Sequence, residues 1–504
     1  MSVPSALAPF SDLFQQQVLI RAFEDSLLPN YLYDSVVPEA DQWLGHAGTS
    51  ATITNDGYFQ VTAASTPTTV DPTPQSRRAE QYDVSIASYQ NTADVDATQA
   101  QNMLSDYAIQ TYARIGEQAA RTLDAAARAA YTSAACAGWT VADGAQAAVT
   151  NLKVKRLNGF TTALPSTGSS LRHAIVSGGN PLSVKILSTT GVVTRNVIGF
   201  IADNVIAVDQ GNGVADTNGP GTLVLDIAVT VADRAAVCSS NASAVYRVGE
   251  GINRGTATTL GSIDNVTGLM SYAAIREVRK EFSKFGVRGQ TQYGGRYLCH
   301  LSPSAFAQLQ GDPDYQRLSV GQSIDSLAYV RGVVGVVSNM LFIENNYAPT
   351  TETVNWFDPA GNVTPLTYGT KADYGLPNVS TDPLGIELCQ SNDAGKPIDT
   401  TVFMGDDCAK RFYQPHPIFG NVASMQEIGV SGSIGEPYRV VNDGVAIDSN
   451  YVTMIMIAAR NRLADKFPVT WQSKQSWTPK SDQISVLGKG IRYKRFVAIQ
   501  SLAS

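Results

Sequence analysis

The stretch from Leu104 to Ala130 limits what this chain can fold into more than any other. Apolar residues fall at Leu104, Ala108, Tyr112, Ile115, Ala119, Leu123, Ala126 and Ala130, always three or four positions apart, which draws one continuous stripe along an α-helix. On the opposite face Glu117 precedes Arg121 and Asp124 precedes Arg128, each pair spaced by four and in the order that supports a helix. Taken from about Ala97 to Ala137, the helix spans on the order of 60 Å at 1.5 Å per residue. It is also dense in alanine. Few compact enzymes need so long a rod with such small side chains.

With 504 residues the chain has room for several domains. Only 16% of its residues are charged against 43% hydrophobic, so its surface must be largely neutral, as suits a protein that hides area in an assembly. A net charge of −7 argues against strong phosphate-backbone binding. Cys136, Cys238, Cys299, Cys389 and Cys408 are dispersed and odd in number, which reads as reduced, packed thiols of a cytoplasmic product. The opening "MSVPSALAPFSDLFQQQ" has no basic segment before an apolar core, so no signal peptide is expected. No apolar run reaches membrane-spanning length.

Along the chain, "SDLFQQQVLIRAFEDSLLPN" reads as a helix with Ser11 as N-cap and Pro29 as its stop. "YFQVTAA" and "QYDVSIASYQ" read as strands, the second alternating at Tyr82, Val84 and Ile86. Between them lies the proline-rich "STPTTVDPTPQSRRAE", the tip of a long hairpin. The predicted rod follows. Residues 150–258 are β-branched runs split by glycine-rich turns, with Leu223, Leu225, Ile227, Val229 and Val231 alternating most cleanly. This block reads as a small barrel or sandwich inserted between two helices. Helical period returns at "GLMSYAAIREVRKEFSKFG", with Ile275, Val278, Phe282 and Phe285 on one stripe and Gly286 ending it. Then come a strand at "RYLCHLS", a short helix capped by Ser302 with Pro303 at its first position, and further strands at "GVVGVVSNMLFIENNYAPT" and "TTVFMG". "NYVTMIMIAARNRLADKF" and "GIRYKRFVAIQSL" supply the last long strands.

Concentrated chemistry is missing. His46, His173, His300 and His416 stand far apart with no ligand spacing between them. No phosphate-cradling loop is present. "GVSGSIGEP" resembles a nucleophile elbow only loosely, because Ser431 stands where a glycine would precede Ser433. Asp406 and Asp407 in "MGDDCAK" read as a solvated turn. We therefore expect no catalytic residue, metal or cofactor.

Five segments in order carry a resemblance. "GEQAARTLD" on a long helix after an extended hairpin resembles the spine-helix segment of the tailed-bacteriophage major capsid protein family. "MSYAAIREVRKEFSKFGV", "GRYLCHLSPSAFAQL", "GVVGVVSNMLFIENNYAPT" with "VFMGDDCAKRF", and "GKGIRYKRFVAIQSL" are similar to the segments that follow in that family. Ser302-Pro303 stands where His-Pro is commoner. The resemblance implies an α+β capsid fold with N-arm (1–45), E-loop hairpin (46–93), spine helix of the P domain (94–140), an inserted β-rich domain (141–260), more P domain (261–295), an A domain (296–410) and a final P-domain part (411–504). It implies a non-enzymatic subunit that assembles with itself as pentamers and hexamers into an icosahedral shell. Decoration, scaffolding and portal proteins are expected partners. Packaged double-stranded DNA is expected inside without sequence-specific contact, with no membrane, in a virion assembled in the host cytoplasm. An encapsulin-like compartment shell and a tail sheath or tube subunit are the alternatives. Arg77 and Arg78 at the hairpin tip, and Arg492 and Lys494 in the basic C-terminal segment, are the candidate contacts to neighbouring subunits.

Overall fold

The computed structural model describes residues 18–27, 32–43, 50–56, 79–96, 107–165, 333–344, 353–357, 363–367, 398–416, 430–431, 466–484 and 491–502, together with 170–319 apart from 204, 209–211, 216, 218, 234, 249–250 and 254–266, and 438–457 apart from 442, 443 and 450. They form a mixed α+β architecture divided into two compact units. One comprises 1–51, 84–128 and 409–478, the other 52–83, 129–408 and 479–504.

In the first unit, strands line up in the order Asp41–Gln42, Ala409–Gln414, Lys466–Pro479, Val452–Ile457, Gly444–Ser449, Tyr438–Val441, Val430–Ser431, and Ala87–Asp96 also pairs with Lys466–Pro479. The strand Lys466–Pro479 alternates buried and half-exposed residues along nearly its full length, the mark of a strand with one face on a core. Its buried face is partly polar: Ser473 and Gln475 share it with Val469, Trp471 and Trp477. Arg411 is buried there too, its guanidinium 4.6 Å from the Tyr451 ring and 5.7 Å from Trp477, while its Nε donates to Gln475 Oε1 at 2.8 Å. Stacking between two rings is how a buried guanidinium, weakly hydrated and planar, is tolerated.

The predicted rod is the helix Tyr107–Ala135. Its stripe is buried at Ala108, Tyr112, Ile115, Ala119, Leu123 and Ala126, and Glu117 pairs with both Arg114 and Arg121. Asp124 and Arg128 depart from the expectation of a solvated pair. They are 2% and 4% exposed, and Asp124 Oδ1 accepts the Tyr33 backbone N–H at 2.7 Å, tying the short 3-10 turn Tyr33–Ser35 to the rod. The arm helix Val18–Leu27 buries Leu19, Phe23 and Leu27 and crosses the rod at Gly116. A Cβ on Gly116 would stand 2.8 Å from the Phe23 carbonyl oxygen and 2.2 Å from Ser26 Oγ. That close approach explains a glycine inside a helix.

In the second unit a six-stranded antiparallel sheet runs Trp139–Val141, Ala236–Ser239, Leu182–Ser188, Gly191–Ala202, Gly221–Val231, Gln146–Val154. It closes on itself. Ala142 bridges Val154, Asp143 N–H donates to the Lys153 carbonyl at 3.0 Å and Lys155 N–H to the Val141 carbonyl at 3.1 Å. Closure removes the free edges that an open sheet would leave, and Leu152, Val184, Ile186, Val197, Leu223, Leu225 and Val229 fill the interior. The expected alternation at 223–231 holds except at Ile227, which is 57% exposed. There the pairing with the neighbouring strand shifts register between Val224 and Val229, and a bulge re-aims the side chains. The ring takes in no strand between Ser239 and residue 260: Ala244–Arg247 pairs in parallel with Phe496–Leu502.

That pairing belongs to a seven-stranded sheet in the order Gly251–Asn253, Ala244–Arg247, Phe496–Leu502, Ile398–Met404, Tyr297–Leu301, Met340–Glu344, Val333–Val337. The helix Tyr272–Lys284 lays Ala274, Ile275, Val278 and Phe282 into one core with Leu301, Phe342, Phe403 and Ile499. Phe282 stacks on Tyr297 with centroids 4.8 Å apart. Gly286, at φ +62°, ends the helix as expected. Ser302 caps the helix Pro303–Gly311 by accepting the Ala305 N–H at 3.1 Å, and its hydroxyl donates to Asp399. Lys466–Pro479 belongs to the eight-stranded sheet and Phe496–Leu502 to the seven-stranded one.

Candidate assembly surfaces

Among the described residues no group of three His, Cys, Asp or Glu side chains is placed to hold a metal ion, and no helix is long and apolar enough to cross a membrane. His300 is 1% exposed inside the seven-stranded sheet, and burial pushes its pKa down to about 3. His416 is half-buried and its pKa is lowered by desolvation and then by Lys474. Ser433, His46 and Cys389 lie outside the described residues. Cys136, Cys238, Cys299 and Cys408 are buried and in no disulfide, and burial pushes the thiols of Cys136, Cys299 and Cys408 upward, Cys136 to about 11 and Cys408 to about 12.

The strand Ala79–Ser85, at the foot of the expected hairpin, lies between Ser50–Asp56 and Ser170–Arg172 in a three-stranded sheet. Its register with Ser170–Arg172 is parallel, and Arg172 meets Asp83 at 2.7 Å on the exposed side, with Thr52 Oγ1 donating to the same carboxylate. The expected strand at "YFQVTAA" and the tip with Arg77 and Arg78 lie outside the described residues. On the buried side of Ala79–Ser85 the residues are Glu80, Tyr82 and Val84. Sequence reading found the apolar pair and missed Glu80, although its even-numbered position put it on the same face.

Glu80 is fully buried beside His173 and Ser481. Its Oε2 accepts the Ile484 N–H at 3.1 Å and stands 4.0 Å from His173 Nε2, while Ser481 Oγ lies 3.4 Å from the same ring nitrogen. Asn55 Nδ2 donates to the Ser481 carbonyl at 2.6 Å. The trio has the residue types of a hydrolytic triad but not its geometry. Nucleophile and carboxylate both face Nε2, whereas a triad needs one ring nitrogen for each. Ser481 is also 1% exposed, so a substrate carbonyl has no approach. The group is a buried polar joint.

The basic C-terminal residues are occupied within their own unit. Arg492 Nη1 donates to Thr162 Oγ1 at 2.8 Å and its guanidinium lies 5.3 Å from the Tyr493 ring. Lys494 is 8% exposed, with its pKa lowered by burial against the opposing pull of Asp482. Arg495 bonds Asp482 at 2.9 Å and Asp407 at 3.2 Å, and Lys480 also pairs with Asp407. Asp406 accepts from Thr291 Oγ1 at 3.2 Å. The turn expected to be merely solvated is thus a small ion-paired network, with Asp407 at φ +49°.

No protein-family model and no curated protein matches the chain. Solved structures similar to it include the capsid of Ralstonia phage GP4, with TM-score 0.42 and 12% identity over 91% of this chain and 84% of that one. The cyanophage Pam1 capsid asymmetric unit gives TM-score 0.41 and 10% identity over 90% and 85%. The acidic stable capsid of Helicobacter pylori bacteriophage KHP30 gives 0.42 and 8% over 94% and 91%.

Proposed function

We propose that this chain is a major capsid protein that self-assembles, as pentamers and hexamers, into the icosahedral head shell of a tailed bacteriophage around packaged double-stranded DNA. One observation carries the reading: the order of elements along the chain. An arm helix, a hairpin root, a 29-residue helix, a strand followed by a Ser-Pro helix, and a late strand set inside a sheet occur in the order that the five resembling segments imply. The physical logic agrees with it. A thin subunit that must reach across a shell needs a stiff rod and small side chains where layers approach, and Gly116, Ala119 and Ala120 supply them at the buried face. Identical subunits with complementary surfaces then close by symmetry.

Within that reading residues 1–45 are the N-arm, 46–93 the E-loop and 296–410 chiefly the A domain. The protein acts as a structural subunit and not as an enzyme. Arg77 and Arg78 are its contacts to an acidic patch on the adjacent subunit, and Arg492 and Lys494 in the basic C-terminal segment are further contacts to a neighbouring subunit. Decoration, scaffolding and portal proteins are further partners, and assembly takes place in the host cytoplasm.

Negative-stain imaging of the purified full-length protein tests the reading, with closed icosahedral particles expected. Helical tubes would mark a tail subunit instead. Particles that hold an enzyme cargo and no DNA when recovered from the native source would mark a compartment shell. Arg77→Glu combined with Arg78→Glu should hinder closure, more visibly at low salt, and normal particles from that variant would remove the two arginines from the contact.

A further inference from the structure

The buried joint at the hairpin root joins three segments distant in sequence: Ala79–Ser85, the residue after Ser170–Arg172, and the 480–484 turn. Glu80 and Ile484 are 404 positions apart, so the joint fastens the strand Ala79–Ser85 to a turn remote from it in sequence. The side chains of Glu80 and His173 are 0% and 3% exposed, and among the described residues Glu80 Oε1 and His173 Nδ1 have no hydrogen-bond partner. A buried carboxyl and a buried imidazole with spare capacity, bridged by one hydroxyl, can be satisfied in only a few protonation states.

We propose that Glu80, Ser481 and His173 form a proton-gated clasp, which holds the hairpin root to the 480–484 turn while the trio carries one titratable proton and loosens when it carries none or two. With one proton, the Glu80 acid donates to Ser481 Oγ, Ser481 donates to His173 Nε2, and Ile484 N–H is accepted by Glu80. Removing the proton leaves a carboxylate in a dry site. Adding a second makes an imidazolium beside Arg492 that, among the described residues, faces a neutral Glu80 acid in place of a carboxylate.

The charges around the joint fix the direction of each limb. From its own strand the joint faces Tyr82. From the C-terminal segment it faces Asp482, already held by Arg495, as well as Arg492 and Tyr493, and on its exposed flank Arg172 is held by Asp83. Burial raises the pKa of Glu80 above its ordinary 4.5, with Asp482 adding to that and Ser481, Ile484 and Arg492 opposing. A raised carboxyl favours the folded joint below its ordinary pKa, and that contribution is lost as pH climbs through the raised value. Burial, and then Arg492, push His173 down to about 3 from 6.5. Its contribution is complete above 6.5 and lost as pH falls toward 3. The clasp is therefore tightest between two limbs.

Hydrogen exchange of the full-length protein, corrected for intrinsic rates and followed from about pH 4 to 9, reads the clasp in peptides covering 79–85, 170–175 and 480–484. Protection there should fall at each end of the range, by about tenfold or more on the acid side, where His173 is displaced from 6.5 to about 3 and each pKa unit of differential proton binding corresponds to a tenfold change. The strand Leu182–Ser188, inside the six-stranded sheet, serves as a pH-insensitive reference. Glu80→Gln keeps an acceptor for Ile484 and cannot ionise, so the alkaline fall should vanish. His173→Gln should abolish the acid fall. Ser481→Ala removes the hydroxyl that stabilises the carboxylate and should move the alkaline midpoint upward. Wild-type peptides no more pH-sensitive than the reference overturn the clasp, as does a Glu80→Gln profile superimposable on wild type. Should Glu80→Gln fail to fold, an unmoved alkaline midpoint in Ser481→Ala overturns it.

Discussion

Gly116 offers the sharpest test of how the arm is held on the rod. Replacing a helix-interior glycine by alanine ordinarily gains about 1 kcal/mol. Here the new methyl would stand 2.2 Å from Ser26 Oγ, 2.8 Å from the Phe23 carbonyl oxygen and 3.2 Å from Phe23 Cδ2. The hydroxyl can rotate away, but it now donates to that same carbonyl at 2.8 Å, and losing the bond costs about 1 kcal/mol. The carbonyl cannot move unless the helix Val18–Leu27 moves with it, and Leu19, Phe23 and Leu27 are all at 0% exposure. Overpacking of this kind costs about 1–3 kcal/mol. The propensity gain offsets the lost hydrogen bond, so the strain decides the sign, and Gly116→Ala should loosen the arm by about 1–3 kcal/mol. In hydrogen exchange this reads as roughly a five- to hundredfold loss of protection confined to 18–27. Gly116→Val should lose more. Gln118→Ala, on the exposed face two residues on, should leave the arm unchanged. Increased protection of 18–27 in Gly116→Ala would refute the close approach and leave helix propensity as the controlling term.

Three further outcomes are expected. Ser302→Ala removes both the cap of the helix Pro303–Gly311 and a donor to buried Asp399, so thermal unfolding of the subunit should show a loss of about 1–3 kcal/mol. Native thiol labelling should leave Cys136, Cys238, Cys299 and Cys408 unmodified up to about pH 9, because burial raises Cys136 to about 11 and Cys408 to about 12. Rapid labelling without denaturant would contradict their burial. The first lysine in the chain is Lys153, so a hairpin ending before residue 93 cannot supply an amine for a cross-link. Boiled in SDS, mature particles should run as monomers, and a ladder of covalent oligomers would show otherwise.

Much of the fold was legible because it rests on local rules. Period 3.6 gave the rod, Ser302 and Pro303 gave a helix start, Gly286 gave a helix end, and alternation gave the strand 223–231. What was not legible depends on partners far away. Asp124 looks like an outward half of an i,i+4 pair until Tyr33 is folded against it. Ile227 breaks its own alternation because a neighbouring strand shifts register. The parity of Glu80 was in plain view, but nothing local predicts that residues 173 and 481 will meet it. The basic cluster at 489–495 read as a surface for neighbours. Charge alone did not show that Arg495 in it is taken up within the chain by Asp482, 13 positions earlier, and by Asp407, 88 positions earlier.

The strand Phe496–Leu502 lies between Ala244–Arg247 and Ile398–Met404 in the seven-stranded sheet, and this has a consequence for the subunit during its synthesis. Its neighbours leave the ribosome roughly 100 and 250 residues ahead of it. At about 5–20 residues per second, the earlier of them waits on the order of ten to fifty seconds for its partner. Until then Ile398–Met404 has one side open, and Ala244–Arg247 has nothing to join it to the rest of the sheet. A nascent chain can complete its ring and still be an unfinished building block. This strand thus acts as a timer, tying completion of the sheet to synthesis of a segment made after both of its neighbours.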